Sequence, residues 1–257
     1  MIINNIVGGI GNAMFQIAAG YSHSLKCNTD YAINYNFLPQ PGQGLHHSNY
    51  KNNIFSKIKE TKRNSFKIFN EDLSNFNYSP IPIIDDLCLQ GYFQTEKYFK
   101  IHEKGIRDLF CLPKKIQNVI YNKLNKFKKK KVGVHIRWGD YKSIPDVLPP
   151  VSEEYIIKAM SLFNSNDSDF ILITDDLDLV KKKINTDKFV LLNNQNEIED
   201  LITLSMCDSV IMSNSTFSWW GSWLGKKKEK IIAPQKWFGN KGPAIYNDVY
   251  RDEMIVI

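Results

Sequence analysis

The sequence has no apolar run near the roughly 18 residues that a membrane-spanning helix needs. Its first residues, MIINNIVGGIG, lack the charged and apolar regions of a secretory signal. Both absences lead to the expectation of a soluble, cytoplasmic protein. Cysteine is scarce. Cys27, Cys88, Cys111 and Cys207 are scattered with no CxxC pair, which argues against a disulfide framework and a zinc site and for buried, reduced thiols. A full GxGxxG fingerprint and the GK[ST] of a phosphate loop are missing too. So are internal repeats and low-complexity linkers. Three glycosylation sequons occur, at Asn77, Asn166 and Asn214. They read as chance matches, because the last lies inside a motif that a bulky glycan would disrupt.

What is present is ordinary globular material. Of 257 residues, 43% are hydrophobic and 23% charged, enough for one large core or two smaller ones. The net charge is +6, and much of the excess lies in KFKKKK (Lys126–Lys131) and GKKKEK (Gly225–Lys230). Both runs precede apolar strand-like segments. Lysines there suit helix C-termini and solvated connections, with peripheral attachment to an anionic membrane surface as the other use. Nucleic acid is disfavoured, because the aromatic residues sit in apolar patterns rather than among the basic runs.

From Lys131 onward strand and helix patterns alternate. KVGVHI, SDFILIT, KFVLL, DSVIMS and EKIIAP read as strands; SEEYIIKAMSLF, LDLVKKKI, EIEDLITLSMC and FSWWGSWLG read as helices, with Ser152 a candidate N-cap. The first half opens likewise, with strand IINNIV, glycine turn GGIGN, a helix over AMFQIAAGYSHSL and a second strand in TDYAINY. DDLCLQGYF reads as a strand entering a turn, and TEKYFKIHEKGIRDLF and KKIQNVIYNKLNKF as helices divided by Pro113. Leu38 to Ser79 is poorly patterned. Such alternation predicts an α/β fold with parallel sheets and helices on both faces. The expected division is residues 1–129 and 130–257, with the last residues packing back on the first domain.

In such sheets, ligands bind beyond the carboxyl ends of the strands. GGIGN, HIRWGD, TDD and SNST all fall at such places. SNST joins a strand to an aromatic helix, so its hydroxyls and the helix N–H groups suit either an ordinary N-cap or a phosphate. Phe217, Trp220 and Leu224 share one face of that helix and Trp219 and Trp223 another, which marks it as buried. In HIRWGDY, Arg137 suits a diphosphate through its planar fork, and a structural salt bridge to Asp140 is the competing use. His135 and Asp140 are candidates for orienting a substrate or moving a proton. The DxD of Asp176 to Asp178 reads as a metal signature or as a helix start enriched in Asp.

In combination, GGIGNAMFQIAAG, LQGYFQTEKYF, HIRWGDY, ITDD and SNSTFSWWGSWLG, in that order, strongly resemble glycosyltransferase family 11, the α-1,2-fucosyltransferases. The resemblance spans Gly8 to about Trp237. It implies a GT-B-like architecture of two Rossmann-like domains, the first on the acceptor side and the second on the donor side. It implies GDP-L-fucose as donor, a glycan hydroxyl (the 2-OH of a galactose-type sugar) as acceptor, inversion at the anomeric carbon, and no cofactor or metal. Residue by residue it places Arg137 on the donor diphosphate, Ser215 and Thr216 on phosphate, Asp200 on guanine, and Gly8, Gly11 and Asn12 near the reacting centre. Asp175 is counted with the donor contacts, and His135, Arg137 and Asp140 with the catalytic residues. Two positions depart from the family pattern. Trp138 stands where HxRRGD has its second Arg, and Ala13 where GNQMFQ has its first Gln. The base that takes the acceptor proton stays open among Asp140, His135, Asp146 and Glu153. So do a same-fold transferase with another nucleotide sugar and a non-catalytic binding module.

Overall fold

The computed structural model describes residues 1–35, 45–63 and 65–257. Part of the poorly patterned stretch from Leu38 to Ser79, expected to border the acceptor, therefore lies outside the described residues. The chain divides into two compact units. One comprises Met1–Pro113 with Pro243–Arg251, the other Lys114–Gly242 with Asp252–Ile257.

The first unit holds a parallel sheet of β1 (Ile2–Asn4), β2 (Tyr31–Ile33), β3 (Lys59–Glu60), β4 (Lys67–Asn70) and β5 (Leu87–Gln90), in the order β3-β2-β1-β5-β4. The long helix α1 (Ile10–Lys26) starts inside GGIGN, with Gly9 as its N-cap. Small and apolar residues make it buried along most of its length. TEKYFKIHEKGIRDLF is less regular than its spacing predicts. It forms 3₁₀ turns at Glu96–Tyr98 and Lys100–His102, and only Glu103–Leu109 is α-helical (α2).

The second unit begins with α3 (Lys114–Leu124), not at the expected boundary of 129/130. The reason is packing: α3 lies against α6 (Glu197–Met206), where Lys123 pairs with Glu199 at 3.0 Å. The sheet of this unit contains β6 (Lys130–Ile136), β7 (Ser168–Thr174), β8 (Phe189–Val190), β9 (Ser209–Ile211), β10 (Ile231–Ala233) and β11 (Met254–Val256). All pairings are parallel, in the order β11-β10-β9-β6-β7-β8. Counted from β6 as the first strand, this is the 3-2-1-4-5-6 order of a doubly wound nucleotide-binding fold. The expected return of the last residues is split. Pro243–Arg251 belongs to the first unit, and Asp252–Ile257 rejoins the second as β11.

Alternation along β6 sets the two faces. Val132, Val134 and Ile136 enter one core with Trp138, Val151, Ile156, Phe170 and Leu172. That core is closed by α4 (Glu153–Ser161), N-capped by Ser152 as expected (Tyr155 N–H to Oγ, 3.1 Å), and by α5 (Leu177–Lys183). On the second face α7 (Thr216–Trp223) packs on α6 so closely that a Cβ on Gly221 would come within 2.5 Å of Leu204 Cβ. Its three indoles pack on one another, Trp219 on Trp220 and Trp220 on Trp223 edge-on at 5.1 Å, and all are buried. Lys228, from the basic run after α7, is itself buried. Its ammonium donates to the carbonyls of Leu204, Ser205 and Cys207 at 3.1, 2.5 and 2.9 Å, so it caps the C-terminus of α6. The two basic runs also meet, through the Lys130–Glu229 pair at 2.7 Å.

Candidate active site

The order of the second sheet reverses between β6 and β9, and this switch point is where a doubly wound sheet opens a crevice for ligands. HIRWGD leaves β6 there and SNST leaves β9. Ser213 fastens the two strand ends. Its hydroxyl accepts the Arg137 N–H at 3.0 Å and donates to the His135 carbonyl at 2.8 Å. Tyr141 adds a second tie, its hydroxyl donating to the Asn214 carbonyl at 3.0 Å.

The Arg137 side chain is held by two carboxylates. Asp140 takes its Nε and Nη2 groups at 3.0 and 2.7 Å, and Asp175 Oδ2 lies 3.6 Å from Nε. The guanidinium also sits 5.6 Å from the Tyr141 ring centre. Burial disfavours the cation, but Asp140, Tyr141 and Asp175 outweigh it, and the pKa is raised further above its already high ordinary value. Asp140 behaves conversely. Burial would raise its pKa, yet the Arg137 guanidinium holds it below the usual carboxylate range. Both groups are charged throughout the physiological range.

The turn at SNST caps α7. Ser215 is the N-cap and accepts the Phe217 N–H at 3.3 Å, and Thr216 is the first helical residue. The helix N-terminus therefore lies at the same switch point as Arg137, where backbone N–H groups and the helix dipole favour an anion. His135 takes a different place from the one expected of a proton carrier. It is buried, its ring lies 5.3 Å from that of Phe217, and its Nδ1 has no hydrogen-bond partner among the described residues. Burial, with the Arg137 charge next, pushes its pKa down to about 3, so the imidazole stays neutral.

Trp138 points away from the Arg137 side chain, into the α4/α5 core. Its indole N–H donates to the Val151 carbonyl at 2.8 Å, and the Lys183 ammonium lies 5.3 Å from its ring centre. The residue replacing the family's second Arg is a core anchor. Asp176 of the DxD is the N-cap of α5, accepting the Leu179 N–H at 3.0 Å, and its other oxygen faces Lys142 at 3.4 Å. Asp200, on α6, has a cluster of its own, in which Asn194 donates to Asp200 at 2.9 Å and to Thr203 at 2.9 Å. Burial, with Glu199 and Glu197 adding to it, pushes the Asp200 carboxyl up to about 6. Of the other base candidates, Asp146 is exposed and paired with Lys241 at 2.8 Å, and Glu153 opens α4.

Gly8, Gly11 and Asn12 lie in the first unit, beyond the carboxyl end of β1. Gly8 has φ +80°, a conformation that disfavours any side chain. Gln16 clamps the turn by bonding both the N–H and the carbonyl of Val7, at 2.9 and 3.0 Å. Asn12 accepts from Gln94 of the LQGYFQ motif at 3.1 Å, so the two motifs meet where β1 and β5 lie side by side. His47 bonds the Gly8 carbonyl at 2.8 Å and is fully buried. Sequence reasoning missed Ser213, Gln94 and His47. The first two lie inside quoted motifs and were legible as such, whereas His47 sits in the unpatterned stretch and carries no local signal.

Residues 45–257 match the family described as Glycosyl transferase family 11. The chain belongs to glycosyltransferase family 11. Relatives agree with this membership. An alpha-1,2-colitosyltransferase of Escherichia coli is 26% identical, over 93% of this chain and 92% of its own. The O-antigen biosynthesis glycosyltransferase WbnK of Escherichia coli is 27% identical, over 90% and 93%. Among solved structures, the fucosyltransferase NodZ from Bradyrhizobium superposes with a TM-score of 0.57 at 12% identity, covering 87% of this chain and 93% of NodZ. That likeness concerns the fold, which is of the GT-B type. As a family 11 member with glycosyltransferase relatives, the protein is a glycosyltransferase. No helix among the described residues is long and apolar enough to cross a membrane.

Proposed function

We propose that the protein transfers L-fucose from GDP-β-L-fucose to a glycan hydroxyl, the 2-OH of a galactose-type sugar, inverting the anomeric centre to give an α-1,2 linkage. The observation that carries this reading is the convergence, at the β6/β9 switch point, of Arg137 and the N-terminus of α7, tied together through Ser213. A nucleoside diphosphate leaving group needs its developing charge stabilised, and a permanent cation beside a helix N-terminus does this without a metal. Ser215 and Thr216 add hydroxyls at the same point. Asp200 reads the guanine edge through its carboxylate.

The test is a glycan array incubated with GDP-fucose and read by mass spectrometry. A mass gain of one deoxyhexose on galactose-terminated glycans is expected. A second reading is a colitosyl donor, favoured by the alpha-1,2-colitosyltransferase relative. Competition between the two nucleotide sugars in the same assay separates them. If neither donor releases GDP in the presence of any glycan, both readings fail.

A further inference from the structure

We propose that Asp175 is a positioning residue, acting on the donor through the Arg137 loop rather than by touching the donor itself. This rests on the reading that Arg137 grips an anionic leaving group. Asp175 follows the end of β7, and its Oδ1 accepts the N–H groups of both Trp138 and Gly139, at 3.1 and 3.2 Å. The carboxylate lies so close to the loop that a Cβ on Gly139 would come within 2.8 Å of Oδ2 and would displace it. Trp138 is also anchored through its indole N–H on Val151. The loop backbone is thus held from β9 by Ser213 and from β7 by Asp175.

The guanidinium geometry makes this useful. Arginine presents five N–H donors in a rigid plane. Asp140 consumes the Nε and Nη2 edge. That leaves the Nη1/Nη2 edge for a second bidentate partner, and a phosphate matches it. The salt bridge and the diphosphate grip are therefore compatible uses of one side chain. Charge points to the role of Asp175. One guanidinium already faces two carboxylates, so the negative charge of Asp175 opposes an incoming diphosphate. What Asp175 offers the site is an acceptor oxygen for two backbone N–H groups.

Asn keeps that oxygen and removes the charge, whereas Ala removes both. The experiment is GDP titration by calorimetry, with kcat and donor KM, on the full chain carrying Asp175→Asn, Asp175→Ala or Gly139→Ala. Asp175→Asn is expected to bind GDP at least as tightly as the parent. Asp175→Ala and Gly139→Ala, which lose or displace the acceptor, are expected to weaken GDP about tenfold, with donor KM rising more than kcat falls. If Asp175→Ala does not fold, the contrast between Asp175→Asn and Gly139→Ala carries the same information. Equal weakening in Asp175→Asn and Asp175→Ala would show that the charge or a direct donor contact matters, and the proposal fails. Unchanged affinity in Asp175→Ala and Gly139→Ala also overturns it. Arg137→Ala is the separate control. Parental GDP affinity in that variant would remove the donor-site reading itself, and this proposal with it.

Discussion

Ser213 holds Arg137 by its backbone: one hydroxyl accepts the Arg137 N–H and donates a hydrogen bond to the carbonyl of His135, two residues before Arg137. A single buried oxygen thereby ties the carboxyl ends of β6 and β9 together at the switch point. Ser213→Ala leaves the Arg137 N–H without this acceptor and is expected to cost about 1–3 kcal/mol of stability. GDP affinity should fall with it. Urea unfolding and calorimetry check both, and a stable variant with intact affinity would show that the tie is dispensable.

Arg137→Ala is expected to lower transfer by about a hundredfold, the scale for losing one charge-assisted contact at a leaving group. Arg137→Lys should recover only part. An ammonium is a point charge that cannot hold Asp140 on one edge and a phosphate on the other. Steady-state kinetics on the two variants decides. An Arg137→Lys variant as fast as the parent would mean that charge alone suffices.

The Asp200 carboxyl is pushed up to about 6 by burial and its acidic neighbours. A group raised this way binds more protons in the folded chain than in the unfolded one between its two pKa values. Its contribution to stability therefore falls as pH rises from about 4 to about 6 and stays unfavourable above that. Asp200→Asn should accordingly be at least as stable as the parent at pH 7.5 in thermal unfolding. Guanine offers N–H donors that need the ionised carboxylate, so GDP affinity should drop below about pH 6 in the parent. In Asp200→Asn that step should vanish, with the preference for guanine over adenine nucleotides. A persistent step would assign base recognition to another residue.

Transfer is expected to survive EDTA. Asp176 is occupied as the N-cap of α5 and faces Lys142, so the DxD has a structural use. The assay is transfer with chelator and then with added magnesium or manganese. Loss on chelation and recovery with metal would overturn the metal-free account of the phosphate site.

Lys228→Met is expected to destabilise the chain by roughly 2–3 kcal/mol, since the α6 carbonyls lose a buried charged donor. GDP affinity at the remaining folded fraction should not change. Denaturant unfolding alongside calorimetry separates the two effects.

The second unit was the more legible half of the sequence, for physical reasons. Its strands are long or continuous apolar runs, and its helices carry their caps, as at Ser152, Asp176 and Ser215. The first unit hides more. β3 and β4 are short, mostly exposed edge strands, KE and KIFN, without the alternation that marks a buried face. β11 was missed because MIV is short and two of its three residues are exposed. Within the site, residue types suggested a chemistry but could not name the partners. HIRWGD showed that Arg137 and Asp140 share a loop. Nothing local could show that Asp175 reaches back to that loop, or that Trp138 turns from Arg137 into the core, because both depend on the β6–β7 pairing. The place of His135 follows from the same parity along β6, which turns it toward Phe217.

The buried indoles give the chain an uneven optical signature. All five tryptophans, Trp138, Trp219, Trp220, Trp223 and Trp237, belong to the second unit, and each is at most 4% exposed. The first unit holds tyrosine and phenylalanine but no indole. Emission excited at the red edge of tryptophan absorption therefore follows the melting of one half of the molecule and is blind to the other. A far-ultraviolet dichroism curve sees both. If the halves come apart at different denaturant concentrations, the two curves will separate, and the fluorescence transition alone will date the loss of the second unit.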